Sequence, residues 1–317
     1  MKVAITGGSG FIGTRLIEEL RDDGHEIVII DLIHDAPIDI LEQDKLNAAC
    51  VGCDMIYHLA AAHRDDIFPR SIYYEVNGKG TENVTKAAEA NNIKHIIFTS
   101  TVAVYGLNAG QSKEGQALAP FNDYGKSKLE AEQHLQKWSA EVSDRKATII
   151  RPVVVFGEKN RGNVHTLIHQ ISSGKFLMIG NGENKKSMAY VGNIAAFLKH
   201  CLNEKSSFEI YNYADKPDFT TNELTDVICH SLEVKKPAFA LPYSLGMLAG
   251  YGFDVLSRVT GRQLPVSSVR VKKFCADTTV AADKIQQSGF KPKYTLAEGV
   301  DRMISHDFSD KKKSIAA

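Results

Sequence analysis

The chain has no net charge: 38 Lys and Arg are matched by 38 Asp and Glu. Nothing global draws it to nucleic acid or to a strongly charged surface. It has no apolar run of the ~18 residues that a membrane-spanning helix requires. An apolar strand pattern begins at Val3, so no secretory leader is expected ahead of it. Cysteine is sparse and odd in number, five in 317 residues. Cys50 and Cys53 form a lone C-x-x-C with neither a second pair nor a histidine couple, which argues against zinc. Free thiols in a reducing cytoplasm are the simpler reading. Internal repeats and low-complexity segments are also missing. The length leaves room for two lobes or for one large α/β unit with an appended part.

What is present begins at once. Residues 3–13 read VAITGGSGFIG. Val3, Ala4 and Ile5 make a short uncharged strand of the kind buried on both faces. Gly7, Gly10 and Gly13 follow at a spacing of three. Leu16, Ile17 and Leu20 then recur at helical intervals. In this strand, turn and helix, Gly7 permits the tight turn and Gly10 admits a pyrophosphate close to the backbone. Gly13 lets the helix pack on the strand, and the helix N-terminus, led by Phe11 and Ile12, offers free N–H groups to phosphate. Glu26 to Asp31 is the second strand. Asp31 stands where a carboxylate accepts both hydroxyls of an adenosine ribose and repels a 2′-phosphate, so NAD is expected over NADP. Asp39 and Ile40 are expected to flank the adenine.

Met55 to Leu59 is the third strand, and the small residues Ala60 to Ala62 after it let backbone approach a cofactor. His63, Arg64, Asp65 and Asp66 follow; this charged patch either is solvated or faces substrate at the strand's carboxyl end. Ser71 to Asn91 reads as one long helix containing Asn77. His95 to Ser100 is the fourth strand and runs into Thr101, residues 107–121 form a loop, and a helix continues from Tyr124 to Trp138. Thr148 to Pro152 is the fifth strand.

Tyr124 and Lys128 are four apart and share a helix face. A free tyrosine has a pKa near 10, too high for a base at neutral pH. A neighbouring ammonium and a positive nicotinamide ring would both favour the phenolate. Such a phenolate can take a proton from a sugar hydroxyl while its carbon gives up hydride. Thr101, at a strand end, can hydrogen-bond the same substrate oxygen.

The stretches TGGSGFIG, HLAAA, EVNGKGTEN, FTSTVAVYG, YGKSK and RPVVVFG, spanning residues 3–157, resemble the extended short-chain dehydrogenase/reductase family. The resemblance implies an α/β fold, with a Rossmann doubly wound parallel sheet and a smaller C-terminal substrate-binding domain. The expected division is a NAD-binding domain over 1–160, with 187–214 returning to it, and a mainly substrate-binding domain over 161–317. It implies bound NAD contacted by Gly7, Gly10, Phe11, Ile12, Gly13, Asp31, Asp39, Ile40, Leu59, Ala60, Ala61, Asn77, Ser100, Tyr124, Lys128 and Pro152. It also implies a catalytic set of Thr101, Tyr124 and Lys128, and a homodimer paired through helices around 71–91 and 122–140.

AAHRDD, NRGNV, GKFLMIGNG, KSMAYVGNI, YNYADKPD, LPYSLGMLAGYGFD and SSVRVKKFCA extend the resemblance over almost the whole chain. They resemble the branch whose members are 4-epimerases of N-acetylglucosamine carried on a polyprenyl diphosphate. The expected substrate is therefore a lipid-linked or nucleotide-linked amino sugar. After Arg151 and Pro152, nucleotide-sugar epimerases often carry an asparagine; here the chain has Val153, Val154 and Val155, which counts against a UDP-sugar. His63, Arg64, Thr101 and Asn163 are expected to face substrate. Lys186 and Arg270 are expected at its diphosphate, against the alternatives of a surface lysine and an exposed basic strand. A UDP-sugar epimerase, a net dehydrogenase acting on a sterol-like alcohol and a non-catalytic NAD sensor are the competing readings.

Leu241 to Val259 is the apolar high point of the chain. It is too short and glycine-rich to span a bilayer. It either packs on the second lobe or lies in a membrane interface beside Arg258, Arg262, Lys272 and Lys273. Peripheral association with the cytoplasmic face of the membrane is the favoured expectation. The tail from Lys311 reads as frayed.

Overall fold

The computed structural model describes residues 1–64, 66–106, 111–236, 239–261 and 267–309. Asp65, Arg262, the first part of the 107–121 loop and the tail from Lys311 lie outside the described residues. The chain forms two compact units. One contains residues 1–155, 189–215 and 280–293; the other contains 156–188, 216–279 and the described residues from Tyr294 on.

The first unit is built on five consecutive strands, β1 (Lys2–Thr6), β2 (Glu26–Ile30), β3 (Met55–His58), β4 (His95–Thr99) and β5 (Lys146–Pro152), and a sixth at Phe208–Tyr213. They form one parallel sheet in the order β2, β1, β3, β4, β5 and the Phe208–Tyr213 strand. Alternating side chains of β1 serve opposite faces. Val3 and Ile5 join Leu16, Leu20, Tyr57, Ile97 and Phe197. Ala4 joins Ile56, Val84, Phe98, Leu135 and Trp138 on the other face. Burial on both sides is why β1, β3 and β4 read as apolar runs without alternation, whereas β2 at the sheet edge is mostly half-buried. In register, Ile5 lies opposite Ile29 on one side and Tyr57 on the other. The strand order therefore reverses beside β1, which opens a crevice at the carboxyl ends of β1 and β3.

The single helix expected over 71–91 is divided. Ser71–Tyr73 is α-helical, Tyr74–Lys79 is a π-helical stretch, and Gly80–Ala90 resumes the α-helix. A Cβ on Gly78 would lie 2.6 Å from Glu130 Oε1, and one on Gly80 would lie 2.5 Å from Ile40 Cδ1. Asn77, within the π-helical stretch, is bonded to Ala62 and Ser127.

Other strands are Asp215–Thr220, Lys185–Tyr190 and Val154–Phe156, in that order in a three-stranded sheet, and the parallel pair Met178–Ile179 with Ala240–Leu241. In the second unit, Tyr243–Thr260 is a helix. Ser268–Cys275, weighed as a basic strand, is also a helix; the Ser267 hydroxyl caps it by accepting the Arg270 N–H.

His58 is fully buried at the end of β3. The Thr81 hydroxyl donates to the Asn77 carbonyl at 2.6 Å, so at its 2.9 Å contact with His58 Nε2 it accepts. His58 Nδ1 then accepts from the Thr6 hydroxyl at 2.7 Å, which makes the ring a neutral Nε2–H tautomer. Burial, reinforced by the Lys128 charge, pushes its pKa down to about 3. Burial and Lys146 push His95 down to about 4. An unfolded histidine titrates near 6.5, so between these values the unfolded chain binds more protons. Stability is thus expected to fall as pH drops from about 6.5 toward 4. Melting curves across that window check this, and the fall should be shallower in His58→Gln than in the parent protein.

Candidate active site

The turn after β1 is packed backbone against backbone. Gly7 has φ +70°. A Cβ there would meet the Ala60 nitrogen at 2.6 Å, and one on Gly13 would meet the Gly7 carbonyl at 2.4 Å. The helix Phe11–Asp22 begins after Gly10 with no side-chain cap and no acidic residue in its first turn. Its leading N–H groups therefore face no protein carboxylate of their own. Asp31 lies beside this turn, accepting the Ser9 N–H at 3.0 Å and the Ile33 N–H at 3.1 Å. Leu59 N–H donates to the Thr6 carbonyl at 3.0 Å and Ala60 N–H to the Thr6 hydroxyl at 3.3 Å. Asn77 fixes Ala62 from both sides, accepting its N–H at 2.8 Å and donating to its carbonyl at 3.0 Å. A cradle without side chains, an uncapped helix N-terminus and a carboxylate beside that turn fit a dinucleotide.

Not every expected cofactor contact is turned outward. Ile40 is buried in the core on one face of the sheet, and Ile12 packs against the core on the other. Asp39 accepts the Leu41 N–H at 2.9 Å. Both Asn77 amide hydrogens are engaged, by Ala62 and by the Ser127 hydroxyl at 2.9 Å, so its visible work is to hold the Ala60–Ala62 loop. Pro152 is buried at the end of β5.

The residues expected to act as acid and base lie where β4 meets the Asp123–Glu141 helix. Thr101 is buried after β4, and its hydroxyl accepts the Ala103 N–H at 3.1 Å, starting the short Val102–Tyr105 3₁₀ turn. That turn abuts the helix start: a Cβ on Gly125 would lie 2.9 Å from the Ala103 carbonyl. Asn122 caps the helix through the Gly125 N–H at 2.8 Å. Tyr124 is the helix's second residue, half-buried, with its ring 6.4 Å from that of Tyr73. One turn on, Lys128 is fully buried, with its ammonium 3.9 Å from the centre of the Phe98 ring. Burial pulls its pKa down to about 7, and the Glu132 charge works in the opposite direction.

Glu132 was not singled out from sequence, although it lies four residues beyond Lys128 on the same helix face. Its carboxylate takes a two-pronged contact from Arg151, Nε at 2.9 Å and Nη2 at 2.5 Å, and the Ser100 hydroxyl at 2.5 Å. Arg151 Nη1 donates to the Tyr105 hydroxyl at 2.8 Å, which donates to Asn212 Oδ1 at 2.7 Å. Ser100, expected at the cofactor, thus spends its hydroxyl on Glu132.

The expected substrate contacts divide. His63 and Arg64 are exposed after β3, and Arg64 is paired in two-pronged fashion with Asp66, at 3.1 and 2.9 Å. Asn163, Lys186 and Arg270 belong to the second unit. Asn163 is exposed at the start of the Asn163–Ser172 helix, and Arg270 is exposed on the Ser268–Cys275 helix. Lys186 is committed elsewhere: Nζ donates to the carbonyls of Lys273 at 2.9 Å and Ala276 at 2.6 Å. These are carbonyls left over at a helix C-terminus, which attract a cation. Beside them lies a cleft of about 780 Å³, lined among others by Asn181, Asn184, Tyr243 and Lys272.

With this geometry in view, the comparisons with known proteins agree with one another. The model of the NAD dependent epimerase/dehydratase family matches residues 3–214. The chain is 50% identical, over 98% of its length and 96% of the relative's, to the N-acetyl-alpha-D-glucosaminyl-diphospho-ditrans,octacis-undecaprenol 4-epimerase of Escherichia coli O157:H7. It is 30% identical to the UDP-glucose 4-epimerase of Vibrio cholerae, over 94% of this chain and 92% of that one. In fold it is similar to the UDP-glucose 4-epimerase of Thermotoga maritima, solved with UDP-glucose (TM-score 0.77, 18% identity, 98% and 99% of the two chains). It is also similar to the UDP-glucuronic acid 4-epimerase of Bacillus cereus, solved in complex with NAD (TM-score 0.75, 20% identity, all of both chains). The chain therefore belongs to the NAD dependent epimerase/dehydratase family, and NAD is its cofactor.

Proposed function

We propose that the protein is a 4-epimerase, an isomerase that interconverts N-acetylglucosamine and N-acetylgalactosamine joined to undecaprenyl diphosphate, for O-antigen or related polysaccharide synthesis. The observation that carries the substrate is the 50% identity, over nearly the whole of both chains, to the epimerase of that lipid-linked sugar. The run Val153, Val154 and Val155 supports it, since it places no amide after Arg151 and Pro152.

In the proposed chemistry, NAD supplies a hydride acceptor that oxidises C4 of the sugar and later returns the hydride to its other face. Tyr124 takes the proton of the C4 hydroxyl and gives it back. Thr101 holds the same oxygen by a hydrogen bond. Lys128 supplies the positive charge that favours the phenolate, and its lowered pKa makes that charge strongest below about pH 7. Glu132 and Arg151 fix the helix that carries both residues. Gly7, Gly10, Gly13 and Asp31 hold the dinucleotide. Residues 1–160 with the returning 187–214 segment form the NAD-binding domain, and 161–317 mainly the substrate-binding domain. The protein works as a homodimer, paired through helices around 71–91 and 122–140, at the cytoplasmic face of the membrane. Among the described residues no helix is long and apolar enough to cross a membrane.

The competing substrate is a soluble UDP-sugar, favoured by the 30% identical relative. Supplying undecaprenyl-diphosphate-linked and UDP-linked N-acetylglucosamine in parallel and analysing the products separates the two. Turnover of the lipid-linked sugar is expected, and turnover of the UDP-sugar alone would overturn the assignment. Tyr124→Phe should lower kcat by about 10²-fold or more while NAD binding, followed by fluorescence, persists; undiminished turnover would remove Tyr124 from the reaction. Glu132→Gln leaves the buried Arg151 charge without its counter-ion. It should cost roughly 3–5 kcal/mol of folding stability in denaturant titration.

A further inference from the structure

We propose that the Tyr243–Thr260 helix is a docking element that seats the protein on an anionic phospholipid surface. The proposal rests on the lipid-linked substrate reading for its setting and gives the membrane contact a particular surface. The helix is 18 residues long and carries two charged side chains, Asp254 and Arg258. Its inward face is made at intervals of four. A Cβ on Gly246 would lie 2.6 Å from Ile179 Cγ2, and one on Gly250 would lie 2.8 Å from Ser268 Cα. Asp254 accepts the Ser268 hydroxyl at 2.5 Å. Glycine packing draws the helix down onto the Ser268–Cys275 helix and spends Asp254 there.

Its outward face is mainly apolar and exposed. Leu245, Leu248, Tyr251, Val255, Leu256 and Val259 are all exposed, Leu248 by 68% and Val259 by 78%. Single exposed hydrophobic residues are ordinary. Six gathered on one side of a helix form the kind of patch that marks an interaction site. The charges that border it favour one occupant. Arg258 stands in the helix's last turn, and Lys272 and Lys273 are exposed on the adjoining helix. An apolar stripe edged by cations matches acyl chains beneath anionic headgroups. A second copy of the chain seated about a two-fold axis on this patch would instead bring like cations together. The N-terminal end of the helix also runs into the 780 Å³ cleft, which Pro242, Tyr243 and Lys272 help to line. The cleft therefore opens beside the start of the docked helix.

Flotation of the full-length protein on substrate-free vesicles tests this. Vesicles of phosphatidylethanolamine with phosphatidylglycerol should carry the protein upward, and phosphatidylcholine vesicles should carry much less. Leu248→Asp, Val255→Asp and Val259→Asp together should weaken flotation by on the order of tenfold or more, with unchanged circular dichroism and unchanged turnover of a short-chain, water-soluble prenyl-diphosphate-linked sugar. As a conservative reporter, the Leu248→Trp variant should show a blue shift of its added emission on anionic vesicles and quenching by brominated acyl chains. The parent, whose single tryptophan is the buried Trp138, gives the background for that reading. The proposal is overturned if the parent protein stays at the bottom of the gradient or if the triple variant floats like the parent. It is equally overturned if the emission added by Leu248→Trp ignores vesicles, or if the triple variant loses a dimer measured by light scattering while floating unchanged. Flotation without turnover of any lipid-linked sugar would sink the substrate reading and leave the docking helix standing.

Discussion

A cation without water must be supported by what surrounds it, and Lys128 organises much of the first unit in this way. Its ammonium rests on the Phe98 face, and the opposing charge that acts on it is Glu132, one helical turn away. Glu132 is itself buried and would be costly alone. It is matched by Arg151, Arg151 donates to the Tyr105 hydroxyl, and that hydroxyl donates to Asn212. Each buried polar group passes its requirement to the next, so one helix becomes tied to β4, β5 and the Phe208–Tyr213 strand. Interiors transmit strain because they are close-packed. A substitution at Arg151 is thus expected to move the helix that carries Tyr124 without touching substrate.

The cofactor side is shaped by the opposite device, the removal of side chains. Gly7 and Gly13 bring the turn, the end of β3 and the first helix so close that no Cβ fits among them. What remains at the rim is backbone N–H, with Asp31 fixed by two hydrogen bonds from the turns beside it. A preorganised acceptor loses little entropy when a ribose arrives. His58 belongs to the same design. Held neutral between two threonines, it adds no second charge next to Lys128.

Local pattern made part of this legible in advance. β1, β3 and β4 announce themselves because strands buried on both faces have no polar phase, and Tyr124 and Lys128 share a face by simple helical spacing. The π-helical turn around Asn77 was not legible. It lies where Gly78 packs close to Glu130 and Gly80 close to Ile40, approaches between segments far apart in sequence. The Glu132–Arg151 pair left only a faint trace, an acid one turn after a lysine on a helix with many acids and lysines. Lys186 shows how little spacing says about a long side chain. A motif placed it at phosphate, but a lysine reaches any acceptor within its stem's length, and the acceptors it finds here are the carbonyls ending the Ser268–Cys275 helix. Spacing fixes which face a side chain leaves from and says little about where a long one ends.

That diversion of Lys186 bears on how a lipid-borne sugar would be held. A sugar that must present both faces of C4 to one hydride donor cannot be gripped tightly at its ring, so its residence has to come from elsewhere. In a nucleotide sugar the base and diphosphate provide it. Here the residues after Pro152 are three valines and Lys186 is turned to backbone carbonyls, which leaves less polar grip than such a substrate would ask for. A surface that holds enzyme and prenyl chain in the same layer supplies the missing residence differently, by raising the effective concentration of substrate rather than the strength of any one contact. On that reading the bare apolar stripe of the Tyr243–Thr260 helix and the thin set of diphosphate ligands are two sides of one arrangement. Affinity would then lie in the membrane, and the active site would be left free to let the sugar turn.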